Sequence, residues 1–504
     1  MAPALNLVGS ISPGLGIAVL SGAVVAYLLL RVIYNLFFHP LAKIPGPMLM
    51  AVTDIPFLYY RAQGAWPHKV KELHDRYGPV VRITDDDVSF ITPAAAKTIY
   101  GHRAAGQETY QKDHKVYRPS STGHTSILIA NDADHRRQRR LLAHAFSEKA
   151  LRGQEDVMKR YVGLLIAKMR ECARSAEPVI DMVKWYNFTT FDLIGDLAFG
   201  QPFGCLESGG YHPWVAMIFA NVKVASLTGA VLRYPRLKPL ISLFISEELV
   251  RSQKEHNELS ARTARRRLES GNTAREDFMS YILRHNDEKG MSEGEIVENA
   301  NLLIIAGSET TATQLSGTTF FLLSRGNEAR YKRVVDEVRG RFQREEDIDL
   351  ISLQGLEYMN ACFEEAMRMY PPVPIASARR TPGKGEVIEG YYIPGDTGVS
   401  VPQLAAFRNE RNFKNPDKFV PERWLGDPEY KDDLRTMLQP FLTGPRNCIG
   451  KNLAYAEMRL IFAHVLWNFD LELMPECENW DQQKIYTFWT KGDLKVRLKP
   501  VRRE

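Results

Sequence analysis

Between Ser292 and Gly326 the chain carries one long helical pattern, and few small folds have room for it. Ser292-Glu293-Gly294-Glu295 reads as a capping box, and Gly326 as the C′ residue that ends the helix. The span predicts a rod about 48 Å long at about 1.5 Å per residue. Its middle, Leu302 to Gly307, is apolar on every face, so the rod should pass through the core of a large unit. Directly after it come Ser308, Glu309, Thr310 and Thr311. A carboxylate and three hydroxyls inside a buried helix are costly unless they are satisfied or used.

The rest of the chain fits a mainly α fold with a small β-sheet region. Strand-like stretches are few: Val80 to Thr84, Val88 to Ile91, Glu386 to Ile393, Val399 to Pro402 and Leu494 to Leu498. The 504 residues contain no low-complexity linker and no fixed-period repeat. We therefore read one catalytic unit over residues 49–504, behind a short N-terminal appendage. A net charge of +5 is too small at this length to argue for nucleic acid.

That appendage has no charged side chain from Met1 to Leu30. The apolar run from Leu15 continues past Arg31 to Phe37-Phe38, about 20 residues and enough to span a bilayer. We read residues 1–38 as a single-pass transmembrane anchor, with Arg31 and Lys43 placing the remainder in the cytosol. The rivals are a cleaved signal peptide, which would want a basic n-region, and a buried soluble helix. Next, residues 39–48 hold Pro40, Pro45 and Pro47, which predicts a stiff, extended hinge.

Five cysteines stand far apart with no C-x-x-C, against a disulfide framework or a structural zinc site. Cys448 is the one in a telling context, Phe441-Leu442-Thr443-Gly444-Pro445-Arg446-Asn447-Cys448-Ile449-Gly450. A helix with Leu453, Ala456, Leu460, Ala463 and Trp467 on one face follows directly. Its N-terminus and the Arg446 cation would favour a thiolate, while Gly444 and Gly450 let backbone approach a large flat ligand. The bland alternative is a Gly-Pro turn before an ordinary core cysteine.

This segment resembles the haem-binding loop of the cytochrome P-450 family, Phe-x-x-Gly-x-Arg-x-Cys-x-Gly, at all five fixed positions. The resemblance implies that fold, with haem b between the long helix and the helix after the Cys loop. It implies Cys448 as the proximal ligand to iron, Phe441 as its shield and Arg446 as a propionate partner. Glu365-Ala366-Met367-Arg368 is similar to the family's Glu-x-x-Arg, and Pro421-Glu422-Arg423-Trp424 to its Pro-Glu-Arg-Phe. Glu365, Arg368 and Arg423 would then form a buried structural network. Alone, the first pair reads as an i,i+3 surface ion pair. Ala306-Gly307-Ser308-Glu309-Thr310-Thr311 resembles the oxygen-activation motif. By resemblance Thr310 hydrogen-bonds bound oxygen, Glu309 helps relay protons, and Gly307 leaves room for oxygen and water. The alternative is hydroxyls that bond back to the preceding turn.

His135 and Arg139 sit where the family has Trp-x-x-x-Arg, implying a haem contact for each. Arg379 is a further propionate candidate, unless Arg380 is the one that reaches inward. Arg136, Arg137 and Arg140 are either a solvated face or a docking face for a flavoprotein reductase. Substrate contacts carried over by position are Ile127, Leu302, Ala306, Ile375 and Phe488. The Pro-rich segment and Phe191 to Gly200 look most like the fungal microsomal branch. The resemblance thus implies an endoplasmic-reticulum monooxygenase using O2 and NADPH electrons through a reductase, on a hydrophobic polyketide- or terpenoid-type molecule. Two other readings stay open: a haem-thiolate isomerase or dehydratase that needs no O2, and a membrane haem protein that binds without turnover.

Overall fold

The computed structural model describes residues 13–118, 122–234, 247–269, 277–286 and 290–501; residues 1–12 of the anchor segment lie outside them. Helices form the bulk. The central one runs Glu293–Leu323, with both halves of the Ser292–Glu295 capping box formed. It ends two residues earlier than the pattern suggests, and Gly326 takes its positive φ of 87° in the turn beyond. The Met182–Phe199 helix packs along it, and at the closest approach Gly307 has no space to spare. A Cβ there would lie 2.7 Å from Ile194 Cδ1. Gly307 therefore serves helix packing, not the room for oxygen and water expected of it.

The best-buried part of the central helix is also not where its apolar run is. Apart from Thr310, residues 308–322 are buried, while Leu302, Ile305 and Gly307 are half-buried and Ala306 is exposed. The buried half tolerates its hydroxyls because they bond back one turn: Ser308 to the Ile304 carbonyl, Ser316 to Ala312 and Thr318 to Gln314. The Lys451–Asn468 helix, expected to be amphipathic, is buried nearly all round beyond its first turn, because helices cover it on several sides.

Strands β1 (Val80–Arg82), β2 (Asp87–Phe90), β3 (Gln111–Lys112), β5 (Arg379–Arg380) and β8 (Gly398–Ser400) form one sheet in the order β1-β2-β8-β5-β3. A second sheet pairs β4 (Val179–Asp181), β10 (Lys495–Pro500) and β9 (Phe469–Leu473) in that order. The expected strand over 386–393 is a hairpin of β6 (Glu386–Ile388) and β7 (Tyr391–Ile393). The pattern missed β3, β4, β5 and β9. Three of these are too short to alternate, and β9 follows the preceding helix without a break.

The N-terminal apolar segment is a helix over Pro13–Ile33 whose last turn widens to a π-helix at Tyr34–Phe38, long and apolar enough to cross a membrane. The span Gly14–Phe38 has a mean hydropathy of 2.2 and is not buried by the rest of the chain. The segment after it is not the extended spacer its prolines suggest. Backbone bonds from Ala42 to His39 and from Ile44 to Leu41 fold it into turns, and Leu41 and Ile44 are buried in the core beside the first sheet. Two small apolar anchors outweigh the proline stiffness. Arg82 donates to the Asn35 carbonyl at 2.9 Å and Arg31 pairs with Asp85 at 3.2 Å, tying the end of this apolar helix to β1 and the loop after it.

Candidate active site

The loop before the Lys451–Asn468 helix closes on itself: the Cys448 N–H donates to the Phe441 carbonyl at 2.8 Å. The turn needs Leu442 at a φ of 57° and Gly444 at 75°. A side chain at Gly444 would strike the Tyr100 carbonyl at 2.0 Å, so glycine is required there. A Cβ at Gly450 would sit 3.9 Å from the Cys448 sulfur. Among the five cysteines only Cys448 is exposed, and it stands just ahead of the helix N-terminus. Burial within the cleft pushes its thiol up, against the Gly450 N–H, Arg139 and Lys451, which pull it down. The cations acting on this sulfur are thus Arg139 and Lys451, and not Arg446 as the spacing suggests. Arg446 turns to Asp132, at 2.7 Å, and to the Ala130 carbonyl. The Phe441 ring lies beside Tyr455 and Lys451.

Around this loop positive charge accumulates. Arg139 donates to the Asn447 carbonyl at 2.7 Å. Buried His135 is pushed down to about 4 by burial and then by Arg446 and Arg139. Lys112 stands directly opposite Arg379 across the β3–β5 ladder. Like charges in that position are destabilising. Burial, Arg379 and Arg446 together drive the Lys112 ammonium well below its usual range. Arg446 Nη1 is buried with no hydrogen-bond partner. Of the two neighbouring arginines, Arg379 joins this group, while Arg380 faces Asp86 and Asp113. Sequence reasoning did not single out Lys112, which lies in a two-residue strand with no motif around it.

On the central helix, Ala306 is exposed and Thr310, one turn on, is half-exposed while its neighbours from 308 to 322 are buried. The Thr310 hydroxyl donates to the Ala306 carbonyl at 2.6 Å. Glu309 lies on another face: it is buried, and its Oε1 pairs with Lys491, which also donates to Thr313 at 2.6 Å. Its Oε2 has no partner. Lys491 is a second residue the sequence did not flag, because it stands alone between Thr490 and Gly492 in the C-terminal region.

Behind the loop, Glu365 accepts two bonds from Arg368 at 2.8 and 2.9 Å, one from Arg423 Nε at 3.0 Å and one from the Val420 N–H at 2.8 Å. Glu365, Arg368 and Arg423 are fully buried, so this is no surface ion pair. Trp424 adds an indole donor to Glu365 at 3.0 Å, a bond the phenylalanine of the family pattern has no atom to make. Asp433 neutralises Arg423 from the other side. Burial would raise the Glu365 carboxyl, but Arg368 and Arg423 hold it below its usual range.

The basic stretch after Asn131 divides. Arg136 and Arg140 are exposed, whereas Arg137 is drawn onto Glu295 at 2.6 Å, clamping the start of the central helix, and so leaves the expected docking face. The five substrate candidates are not brought into one cavity. Ile375 lines a cavity of about 340 Å3 near the first sheet, and Thr487 beside Phe488 lines it too. Ile127 is buried, its N–H held by Asn299 at 2.9 Å. Leu302 and Ala306 lie on the open face of the central helix.

Residues 45–492 match the family model described as Cytochrome P450. The chain is a member of the cytochrome P450 family. It is 46% identical over 480 residues to the cytochrome P450 monooxygenase aclL of Aspergillus oryzae, covering 95% of this chain and 97% of that one. It is 43% identical over 502 residues to the trichothecene C-4 hydroxylase of Trichoderma arundinaceum, covering 98% and 99%. With the averantin hydroxylase of Dothistroma septosporum it shares 41% over 484 residues, 95% and 90%. This cytochrome P450 is accordingly a monooxygenase acting on small molecules, and its family implies a haem iron. The residues present fit that group: an exposed cysteine at a helix start, glycines that leave its face bare, and a surplus of buried cations suited to two carboxylates.

Proposed function

We propose that Cys448 ligates a haem b whose propionates lie among Lys112, His135, Arg139, Arg379 and Arg446, and that Thr310 serves the oxygen chemistry. The observation that carries this is the Lys112–Arg379 pairing beside the one unsatisfied nitrogen of Arg446, a cationic arrangement that Asp132 alone does not balance and that further anions would stabilise. Bound there, the haem supplies oxygen reduction, with electron density pushed in by its thiolate ligand. Arg139 and Lys451 partly offset the burial that pushes the Cys448 thiol up, and binding to the iron would complete the thiolate. With haem over the exposed face of that sulfur, Phe441 and the closed loop would keep water from its other side. Thr310, whose hydroxyl now satisfies the Ala306 carbonyl, rotates to hand a proton into the cleft. Glu309, paired with Lys491, belongs to the path that resupplies it.

Electrons come from NADPH through a flavoprotein reductase that meets the exposed Arg136 and Arg140. The anchor holds residues 49–504 on the cytosolic face of the endoplasmic reticulum, behind the segment 39–48. Two relatives are named for a trichothecene and for averantin; the substrate here is a hydrophobic specialised metabolite of the polyketide or terpenoid kind. The test is a carbon monoxide spectrum of the reduced protein, followed by turnover with NADPH and reductase. A strongly red-shifted Soret band, lost in Cys448→Ala, is expected. Thr310→Ala should keep the band and consume NADPH without product. Product formed without reductase would overturn the monooxygenase chemistry.

A further inference from the structure

One cavity of about 340 Å3 lies between the Ile55–Ala62 helix, the end of the Pro213–Leu232 helix and the edge of the first sheet. Its wall is largely apolar, with Phe57, Trp66, Ile83 and Ile375. Five charged residues line it: Arg61, Asp87, Asp113, Lys115 and Arg233. Four are already matched. Asp87 pairs with Arg233 at 2.5 Å, Asp113 with Arg380 at 3.1 Å, and Lys115 with Asp86. One Asp87 oxygen accepts no bond, but its charge is answered by Arg233.

Arg61 is different. Among the described residues it has no hydrogen-bond or ion-pair partner, and residues 235–246, which continue the neighbouring helix in sequence, contain no Asp or Glu. A cation in the last turn of a helix is ordinary in itself. This one is half-buried on the cavity wall, and the burial it has lowers its guanidinium to about 10. A half-buried cation with no partner, set at the wall of an apolar cavity, is free to meet an anion that enters there. Phe57 stands one turn earlier on the same face, and the Arg233 guanidinium covers its ring at 5.3 Å. Across the cavity the Ser226 hydroxyl is also buried and unpartnered. Two unused donors over an apolar wall describe a site for a small molecule with an apolar body and an oxyanion at one end.

We propose that this cavity selects acidic apolar molecules, carrying a carboxylate or an ionised phenol, with Arg61 as the residue that recognises the acid group. The planar fork of arginine suits a carboxylate in two-point contact. The proposal rests on the monooxygenase reading in one respect: the acid enters as substrate past Ile375.

The test is calorimetric titration of the full-length holoprotein with naphthalene-acetate and with naphthalene-ethanol, its neutral counterpart of similar shape. The wild type should bind the acid about tenfold or more tightly than the alcohol, the scale of one charge-assisted contact. Arg61→Gln should erase the preference and leave alcohol binding unchanged, while Arg61→Lys should keep part of it. Equal affinities in the wild type, no binding of the acid, or a preference that survives in Arg61→Gln would each overturn the proposal. The wild-type comparison decides even if a variant folds poorly. Failure of the monooxygenase reading would appear separately, in the carbon monoxide spectrum and in turnover.

Discussion

The network at Glu365 lends itself to a graded test, because its members differ in what their removal leaves behind. Five donors converge on one carboxylate, four of them charged-group or backbone bonds, and Trp424 supplies the fifth. Trp424→Phe removes one indole bond and keeps an aromatic ring, so it should cost about 1–2 kcal/mol, the range for a bond to a charged acceptor. Glu365→Gln keeps the shape but leaves Arg423 with Asp433 as its one anion and Arg368 with backbone carbonyls alone, in a fully buried site. Breaking such a pair costs about 3–5 kcal/mol. The assay is loss of the red-shifted carbon monoxide band with urea, read as the midpoint for each variant. The expected order is wild type, then Trp424→Phe, then Glu365→Gln, with the second gap the larger. If Glu365→Gln matched the wild type, or both variants fell equally, the reasoning about uncompensated charge would be wrong.

Other outcomes follow from the packing. Gly307→Ala should lose about 1–3 kcal/mol by overpacking against Ile194, less its small helix-propensity gain, and Ile194→Val in the same chain should restore much of it; thermal melts of the single and double variants check this. Glu457 is pushed up to about 8 by burial, with Thr311 pulling weakly the other way. Its folded value stands above the unfolded one, so this group's contribution is full below about pH 4, the unfolded value, and is lost as pH rises toward 8. Glu457→Gln should flatten that part of the pH–stability curve. Lys491→Met should leave Glu309 without its cation. Slower product formation with an unshifted carbon monoxide band is expected, and unchanged turnover would remove Glu309 from the proton path.

The motifs that carry chemistry were legible because they depend on short-range requirements: a glycine where backbone must pass, a cysteine one turn from a helix start, a capping box. Long-range partners were not. Lys112 and Lys491 sit among unremarkable neighbours, and only the folded chain brings one opposite Arg379 and the other onto Glu309. The Gly307 reading failed for a related reason: a glycine signals closeness without saying what comes close, and here it is Ile194. The proline count misled at residues 39–48, because it ignores what Leu41 and Ile44 gain by burial. Arg446 was drawn toward Cys448 by sequence spacing, yet Asp132 claims it in space.

That folded segment has a consequence for how the protein sits in lipid. With Leu41 and Ile44 packed into the domain, Arg82 gripping the Asn35 carbonyl and Arg31 on Asp85, the apolar N-terminal helix joins the catalytic body as a mast on a hull. A mast cannot lean alone. When bilayer thickness departs from the length of Gly14–Phe38 and the helix tilts to compensate, the whole body rolls with it.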